Sequence, residues 1–468
     1  MPNDVAIGGR TATMGGAATA AGNDSAMPYL NPAGMAGIAE DVFAVSASLY
    51  GYSRRDIPKF FAPNGIDPEY GRYRTTQEEV TSETVFELPS SVMYFRHEGT
   101  TDDDFHHVYG VSLVIPTATR MQLSGAYGLE LPDQKGNLSI TTSTTREITD
   151  YYLGPSYAVQ IYEDVRLGVS LFARYSREFS ATSFTKLVSR QRGVMMLSQK
   201  IDFSSDLTSW SIAPVAGGQF RLAESIWAGV GVAPPTFHLY GRARENGAAS
   251  QLNQPNASTA ISSETTQVNE ADYRWARPWR INVGLAYDDR EAFSVAGDVR
   301  AYLAQKKAIE SEGTATVHQV QTGETSRTYK WPATFERDLV QAINVSVGAE
   351  LAVNELLAIR AGAFTDLANT EELDDASSIL HEVREDTFGG SLGVGLTFGT
   401  FDSTIGAIYA HSIGKMVTAD TISGPTAQAV VDTTQDAVMV VISGAVTTEE
   451  AQSTIETTLP YYPQGGAR

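Results

Sequence analysis

Cysteine is absent from all 468 residues. That excludes a disulfide framework, thiolate metal sites and a cysteine nucleophile, and it suits a compartment in which free thiols would be oxidised. Long apolar runs are missing as well. The longest, AVMVVISGAV at 437–446, is about half of the roughly 20 residues that a membrane-spanning helix needs, so helical insertion is excluded. Charged residues make up only 19% of the chain, against about 25% in ordinary soluble domains. They are also unbalanced, with 55 acids against 34 bases and a formal net charge of -21. A phosphate backbone needs a basic footprint, so nucleic acid is excluded as a partner. After Met1 no charged stretch leads into an apolar one, and the expectation is that any secretory signal has been removed or replaced.

Catalytic signatures are missing too. There is no G-x-S-x-G elbow and no H-E-x-x-H helix, and His411 has no partner identifiable from sequence. DDDFHH (102–107) sets three acids beside two histidines, but His106 and His107 would point to opposite faces of a strand, which makes a poor shared metal site and reads better as a solvated turn. GGSLGVGLTFG (389–399) looks like a phosphate cradle, yet it alternates as a strand and no helix follows it; its glycines read as thinning one face of a sheet. No catalytic residue, metal ligand or cofactor is expected, and the chain is not read as an enzyme.

What the chain does have is glycine (41 residues), tyrosine (21) and abundant Ser and Thr, together with a strong period of two. In VRLGVSLFARYS (165–176), Val165, Leu167, Val169, Leu171, Ala173 and Tyr175 fall on one face. The other face is polar or small apart from Phe172. INVSVGAELAV (343–353), INVGLAYDD (281–289) and SLGVGLTF (391–398) repeat the pattern. Alternation alone does not separate a soluble sandwich from a lipid-facing wall. Connection lengths bear on the choice, because membrane barrels alternate short turns with long loops.

The spacing predicts strands near 42–54, 84–96, 106–116, 147–161, 164–178, 206–222, 225–242, 277–288, 292–304, 340–353, 355–365, 385–399, 402–414 and 435–446. That is fourteen, an even number, as a closed antiparallel barrel requires. Tight connections fall at 162–164, 223–225, 288–291, 354–355 and 399–402, with a longer one at 97–104. Between them lie polar stretches at 55–83, 117–146, 179–205, 243–276, 305–339, 366–384 and 415–434, read as long loops. Such loops at every second connection are hard to reconcile with a compact sandwich. TRMQLSGAYGLEL offers an alternative in which the third strand runs on past Pro116. The fold class expected is therefore all-β, a transmembrane antiparallel barrel of about 14 strands.

Ahead of the first strand, GGAATAAGNDSAMPYLNPAGMAGI (15–38) resembles the opening of the FadL/TodX-type long-chain fatty-acid and hydrocarbon transporters of Gram-negative outer membranes. The residues that carry the resemblance are Asp24, Ser25, Ala26, Asn31, Pro32, Ala33 and Gly34; the paired strands at 277–303, 343–366 and 386–415 match in style. The resemblance implies that residues 1–41 form a hatch inside the lumen of a barrel spanning 42–446, with Asp24, Ser25, Asn31, Pro32, Ala33 and Gly34 as hatch and gating residues. It further implies passive uptake of hydrophobic molecules by a monomer in the outer membrane. Met27, Leu30, Met35 and Ile38 then become candidate floor contacts of an apolar ligand pocket. In that family a kink in the third strand opens the wall sideways, which makes Pro116 the candidate for a lateral gap. Asn31-Pro32 biases the chain to a turn, and Gly34 is expected to adopt backbone conformations that a side chain forbids.

The expected partners are a hydrophobic small molecule or lipid and the outer-membrane lipids, with protein partners confined to the extracellular loops or the tail. One departure stands out: the chain runs past the last strand into TTEEAQSTIETTLPYYPQGGAR (447–468), read as a flexible periplasmic tail or partner-binding arm. The competing reading is a barrel that serves as a scaffold or partner-binding subunit of a secretion or surface-assembly complex.

Overall fold

Fourteen antiparallel strands close on themselves in this computed structural model, which describes residues 7–38, 40–61, 80–98, 105–131, 136–190, 196–254, 260–289, 292–373, 382–419 and 428–447. They are β1 (Val42–Ile57), β2 (Val80–Glu98), β3 (Phe105–Leu131), β4 (Gly136–Ile161), β5 (Val165–Arg190) and β6 (Met196–Ala223). Next come four strands that are each interrupted once: β7 (Ile226–Ala233 and Phe237–Gln254), β8 (Ala260–Trp275 and Arg280–Asp289), β9 (Phe293–Tyr302 and Gln305–Gln321) and β10 (Arg327–Leu339 and Ala342–Asn354). β11 (Leu357–Asp366), β12 (Val383–Phe398), β13 (Phe401–Ala419) and β14 (Gln428–Thr447) complete the wall. Each strand pairs with its sequence neighbours, and β14 pairs with β1 from Val42↔Thr447 onward, which closes the ring. The breaks in β7 and β8 contain Pro234, Pro235 and Pro278, residues that have no N–H to give to a ladder.

The period-two faces sort as the alternation predicts, with the apolar face turned outward. Leu167, Val169 and Leu171 on β5 and Ile343, Val345 and Val347 on β10 are among a large set of exposed apolar side chains, while Phe172 on the opposite face of β5 is fully buried. An apolar surface of that extent is a liability in water. It ends in aromatic residues at both levels. Tyr151, Tyr175, Trp210 and Tyr240 lie side by side in register across β4, β5, β6 and β7, and Phe105, Tyr162, Phe220 and Phe401 sit at or beside the short turns. From Val165 to Tyr175 is about 33 Å of strand, or roughly 25 Å of height at a tilt of about 40°.

Beyond the aromatic row the expected loops are corrected. Residues 117–146, 179–205, 243–276 and 305–339 are strand over most of their length, in ladders that run as far as Leu131↔Gly136, Gly136↔Arg190, Met196↔Gln254 and Gln319↔Arg327. Eight strands, β3 to β10, thus rise as a polar crown. Thr, Ser and Gln recur on both of its faces, and its apolar residues, among them Leu123, Tyr127, Leu138, Ile140 and Phe184, are buried inward, so it lacks the outward apolar face that distinguished the strands below. The TRMQLSGAYGLEL alternative holds, because β3 continues to Leu131. β14 begins at Gln428 rather than 435. Parts of 55–83, 366–384 and 415–434, and all of 448–468, lie outside the described residues.

Candidate functional site

Residues 7–38 fold as two single-turn α-helices (Arg10–Thr13 and Met27–Leu30) and a 3-10 helix (Pro32–Gly37), packed against the inward face of the wall. Helices this short have no stability of their own; the wall supplies it. Inward glycines let the segment's backbone approach. A β-carbon on Gly168, Gly229, Gly348 or Gly362 would lie 2.1–2.4 Å from backbone atoms of Pro32, Thr19, Met14 or Gly15, well inside any van der Waals distance. The reading of glycines as thinning one sheet face therefore extends around the lumen; within 389–399, Gly393 makes room for Thr13.

Polar side chains on the same inward faces then take up the segment's exposed backbone groups. Asp298 on β9 accepts from Ala18 N (2.8 Å), Thr19 N (2.9 Å) and the Thr19 hydroxyl (2.7 Å). Asn282 on β8 donates to Leu30 O at 3.0 Å, and Ser391 on β12 to Thr13 O at 2.8 Å. Arg280 donates to Tyr29 O and lies 4.0 Å above the Tyr29 ring. Arg10 reaches Glu350 on β10 at 3.1 Å, and Glu350 also pairs with Arg360 on β11. These buried bonds, several of them to charged groups, are of the stronger kind.

The motif residues are all in this segment. Asp24 closes its first turn, accepting from Thr11 N (2.8 Å), the Thr11 hydroxyl (2.7 Å) and Ala26 N (3.1 Å). Ser25 accepts from Ser91 of β2 at 2.9 Å. Asn31 is completely buried: its amide donates to Thr19 O (2.7 Å) and Gly218 O (3.2 Å), and its carbonyl accepts from Ala33 N at 3.3 Å, capping the 3-10 helix that Pro32 begins. Gly34 needs a different explanation from the one expected. It is not among the residues of positive φ; what it lacks is space, because a β-carbon there would sit 2.5 Å from Gly22 O and 2.6 Å from Met27 Sδ.

Met27, Leu30, Met35 and Ile38 are buried in one apolar cluster with Tyr29, Phe95, Val108, Tyr152 and Phe172. They are packed, rather than bordering open space. Above that cluster an open lumenal cavity of about 250 Å³ is lined by Arg55, Arg146, Arg277, Arg384, Glu385 and others; it is polar, where an apolar pocket was expected. Its floor includes a buried ionic layer in which Asp150 pairs with Arg174 at 2.9 Å and with Arg277. A second apolar cluster, including Ile57, Phe60, Phe61, Tyr127 and Phe184, fills part of the lumen inside the crown. On the short-turn side, Arg10, Arg166, Asp288 and Glu350 border a polar cavity of about 300 Å³.

Pro116 is not at a strand end. β3 and β4 pair Val114↔Tyr152 and then Thr117↔Asp150, so Ile115 and Pro116 together face the single residue Tyr151, a bulge inside the strand of the kind that admits proline. At the same level β3 parts from β2. Their ladder runs from Glu98↔His107 to Ser91↔Val114 and stops, while β2 continues against β1 as far as Ile57↔Val80. Just below the parting, the outer wall is indented by a cleft of about 910 Å³ bordered by Tyr94, Tyr109, Val111, Pro155, Leu171 and Pro214.

The histidines separate as expected onto two faces: His106 Nε2 meets Ala36 O at 2.8 Å inside, and His107 Nδ1 meets the Tyr157 hydroxyl at 2.7 Å outside. His106 is buried instead of solvated. His411 has a partner that sequence did not reveal, Asp436 across the β13–β14 ladder at 2.8 Å. The inward charges Arg280, Asp298, Glu350 and Arg360 were also missed. Their signal was present, since each interrupts the small or neutral face of a strand whose other face is uniformly apolar.

No family model matches the chain, and no curated protein does. Solved structures do. A Pseudomonas aeruginosa FadL homologue aligns over 96% of this chain and 98% of its own, with a TM-score of 0.54 at 13% identity. The Ralstonia pickettii toluene transporter TbuX aligns over 95% and 99%, with 0.52 at 15%, and the monoaromatic hydrocarbon channel CymD over 96% and 99%, with 0.51 at 14%. At that identity the likeness establishes the fold: a fourteen-stranded barrel of the FadL and toluene-transporter architecture.

Proposed function

We propose that this chain is a Gram-negative outer-membrane channel for passive uptake of hydrophobic molecules, with residues 1–41 as a hatch, 42–446 as the barrel and 447–468 as a periplasmic tail. The observation that carries the reading is a pairing of two features. Residues 7–38 occupy the short-turn half of the lumen, and the wall parts between β2 and β3 just above them. A molecule descending from the crown then meets a stopper along the axis and an opening at its side. The apolar belt between two aromatic levels, about 25 Å high, supports a bilayer setting; in this reading the short turns face the periplasm and the crown the cell exterior, the usual arrangement of outer-membrane barrels. The hydrophobic cargo named for TbuX and CymD supports the substrate class, and long-chain fatty acids fit the same class.

In this account Asp24, Ser25, Asn31, Pro32, Ala33 and Gly34 hold the hatch shut, and Met27, Leu30, Met35 and Ile38 become contacts for ligand only when the hatch shifts and opens their cluster. Pro116 keeps β3 from rejoining β2. The test is uptake of a labelled long-chain fatty acid and of toluene into vesicles containing the purified chain. Uptake of either above empty vesicles is expected; permeability equal to that of empty vesicles overturns the reading.

A second reading, a scaffold or partner-binding barrel, is favoured by the eight-stranded crown, which is taller than a pore mouth requires. A stoichiometric complex that forms on the crown or the tail, together with no uptake, would establish it.

A further inference from the structure

Directly above the aromatic row the outward face of β7 changes character within a few residues. Trp210 of β6 faces Tyr240, and Ser211 faces His238, so Leu239 is an extra residue with no opposite number. This bulge turns Phe237, Leu239 and Tyr240 all to the outside, where they are 61%, 62% and 59% exposed. The next two outward positions are Arg242 and Arg244.

Those arginines stand apart from the charges around them. Arg177 is held by Asp206 at 3.1 Å, and Arg274 by Glu310 at 3.6 Å. Asp206 lies opposite Arg244 in register and Asp272 opposite Arg242, yet neither of these two arginines makes an ion pair or a side-chain hydrogen bond among the described residues. Two adjacent guanidinium groups on the outward face are thus left outside any ion pair among the described residues, in a chain of net charge -21. A guanidinium presents a planar fork that matches phosphate oxygens, and lipid headgroups lie at the level just beyond an aromatic girdle.

We propose that this patch binds a phosphate-bearing lipid of the outer leaflet. Its acyl chains lie over Phe237 and Leu239, and its phosphate sits between Arg242 and Arg244. The inference rests on the membrane-spanning reading above and is independent of what passes through the lumen. It commits to the membrane's own lipid as the occupant, because the apolar platform and the cations are contiguous, and a free anion has no use for the platform.

The test is native mass spectrometry of the full chain in mild detergent, titrated with lipid A and, separately, with inorganic phosphate. One lipid A per chain is expected, and Arg242→Gln with Arg244→Gln should weaken it by about tenfold or more, while heat-dependent gel mobility and uptake stay unchanged. Should the pair fail to fold, Arg244→Gln alone, at the more exposed position, gives the same direction. Unchanged lipid A affinity in the variants overturns the proposal, as does equal affinity for inorganic phosphate. Failure of the chain to enter lipid vesicles would instead remove the membrane reading, so the two failures are told apart.

Discussion

Asn31 and Gly217 are in such close contact that a β-carbon built on Gly217 would lie 1.8 Å from Asn31 Oδ1. The side chain that caps the 3-10 helix is thus seated in a notch of β6, and the neighbouring Gly218 carbonyl receives its amide at 3.2 Å. Gly217→Ala should unseat the segment while leaving the barrel closed. Asn31→Ala removes the obstacle along with its hydrogen bonds, and the stranded buried carbonyls cost about 1–3 kcal/mol. In the double variant the alanine at 217 should add little to the loss from Asn31→Ala alone. Protease sensitivity of residues 7–38 in the folded barrel measures this; strict additivity would show that the two side chains do not meet.

Pro116 supplies a prediction about the wall. Pro116→Thr restores a backbone N–H and a good strand former within the bulge, so β3 gains the means to pair upward with β2. Uptake should fall several-fold with barrel stability unchanged or slightly raised. Undiminished uptake would mean that cargo leaves by another route.

The ionic layer predicts a large stability effect. Asp150 and Arg174 have no exposed side-chain surface, and Arg277 shares the same carboxylate. Asp150→Ala leaves two cations facing one another without their anion, and removing one partner of a buried pair costs about 3–5 kcal/mol. Urea unfolding from vesicles should show it. A loss below about 1 kcal/mol, the value of a surface ion pair, would place water in that layer.

Much of this molecule was legible in its sequence, and what was not has a physical cause. The alternation at 165–176 and 343–353 gave strands and faces because lipid and lumen demand opposite chemistries on successive residues. In the crown Thr and Ser stand on both faces, Thr141, Ser143 and Thr145 outward and the buried Thr142 and Thr144 inward, so residue type carries little contrast there and the ladders read as loops. Asn31 announced itself through the Asn-Pro turn. Its notch at Gly217 did not, because the notch is formed by a strand 186 positions away that sequence cannot bring near. Gly34 was noticed for the wrong property: space, rather than backbone freedom, decides that position. Arg280, Asp298 and Glu350 looked like ordinary polar residues until the segment they hold lay beside them.

The outward face makes a quantitative demand. Val345 is 48% exposed on the apolar face of β10, and Val345→Lys near the bilayer midplane should cost about 2–4 kcal/mol. Asn344→Lys, on the inward face, should cost far less of that lipid-transfer penalty, so comparing unfolding of the two variants from vesicles separates hydrocarbon from a general intolerance of lysine.

The most direct test of the whole account is a nitroxide scan along residues 343–353 of β10 in lipid vesicles, made straightforward by the absence of native cysteine. Odd-numbered positions should be relaxed by oxygen and shielded from a water-soluble nickel complex, with even-numbered positions showing the reverse or protection from both. A scan without period two, or one in which the odd positions meet the nickel complex freely, would contradict a lipid-facing wall and the channel built on it.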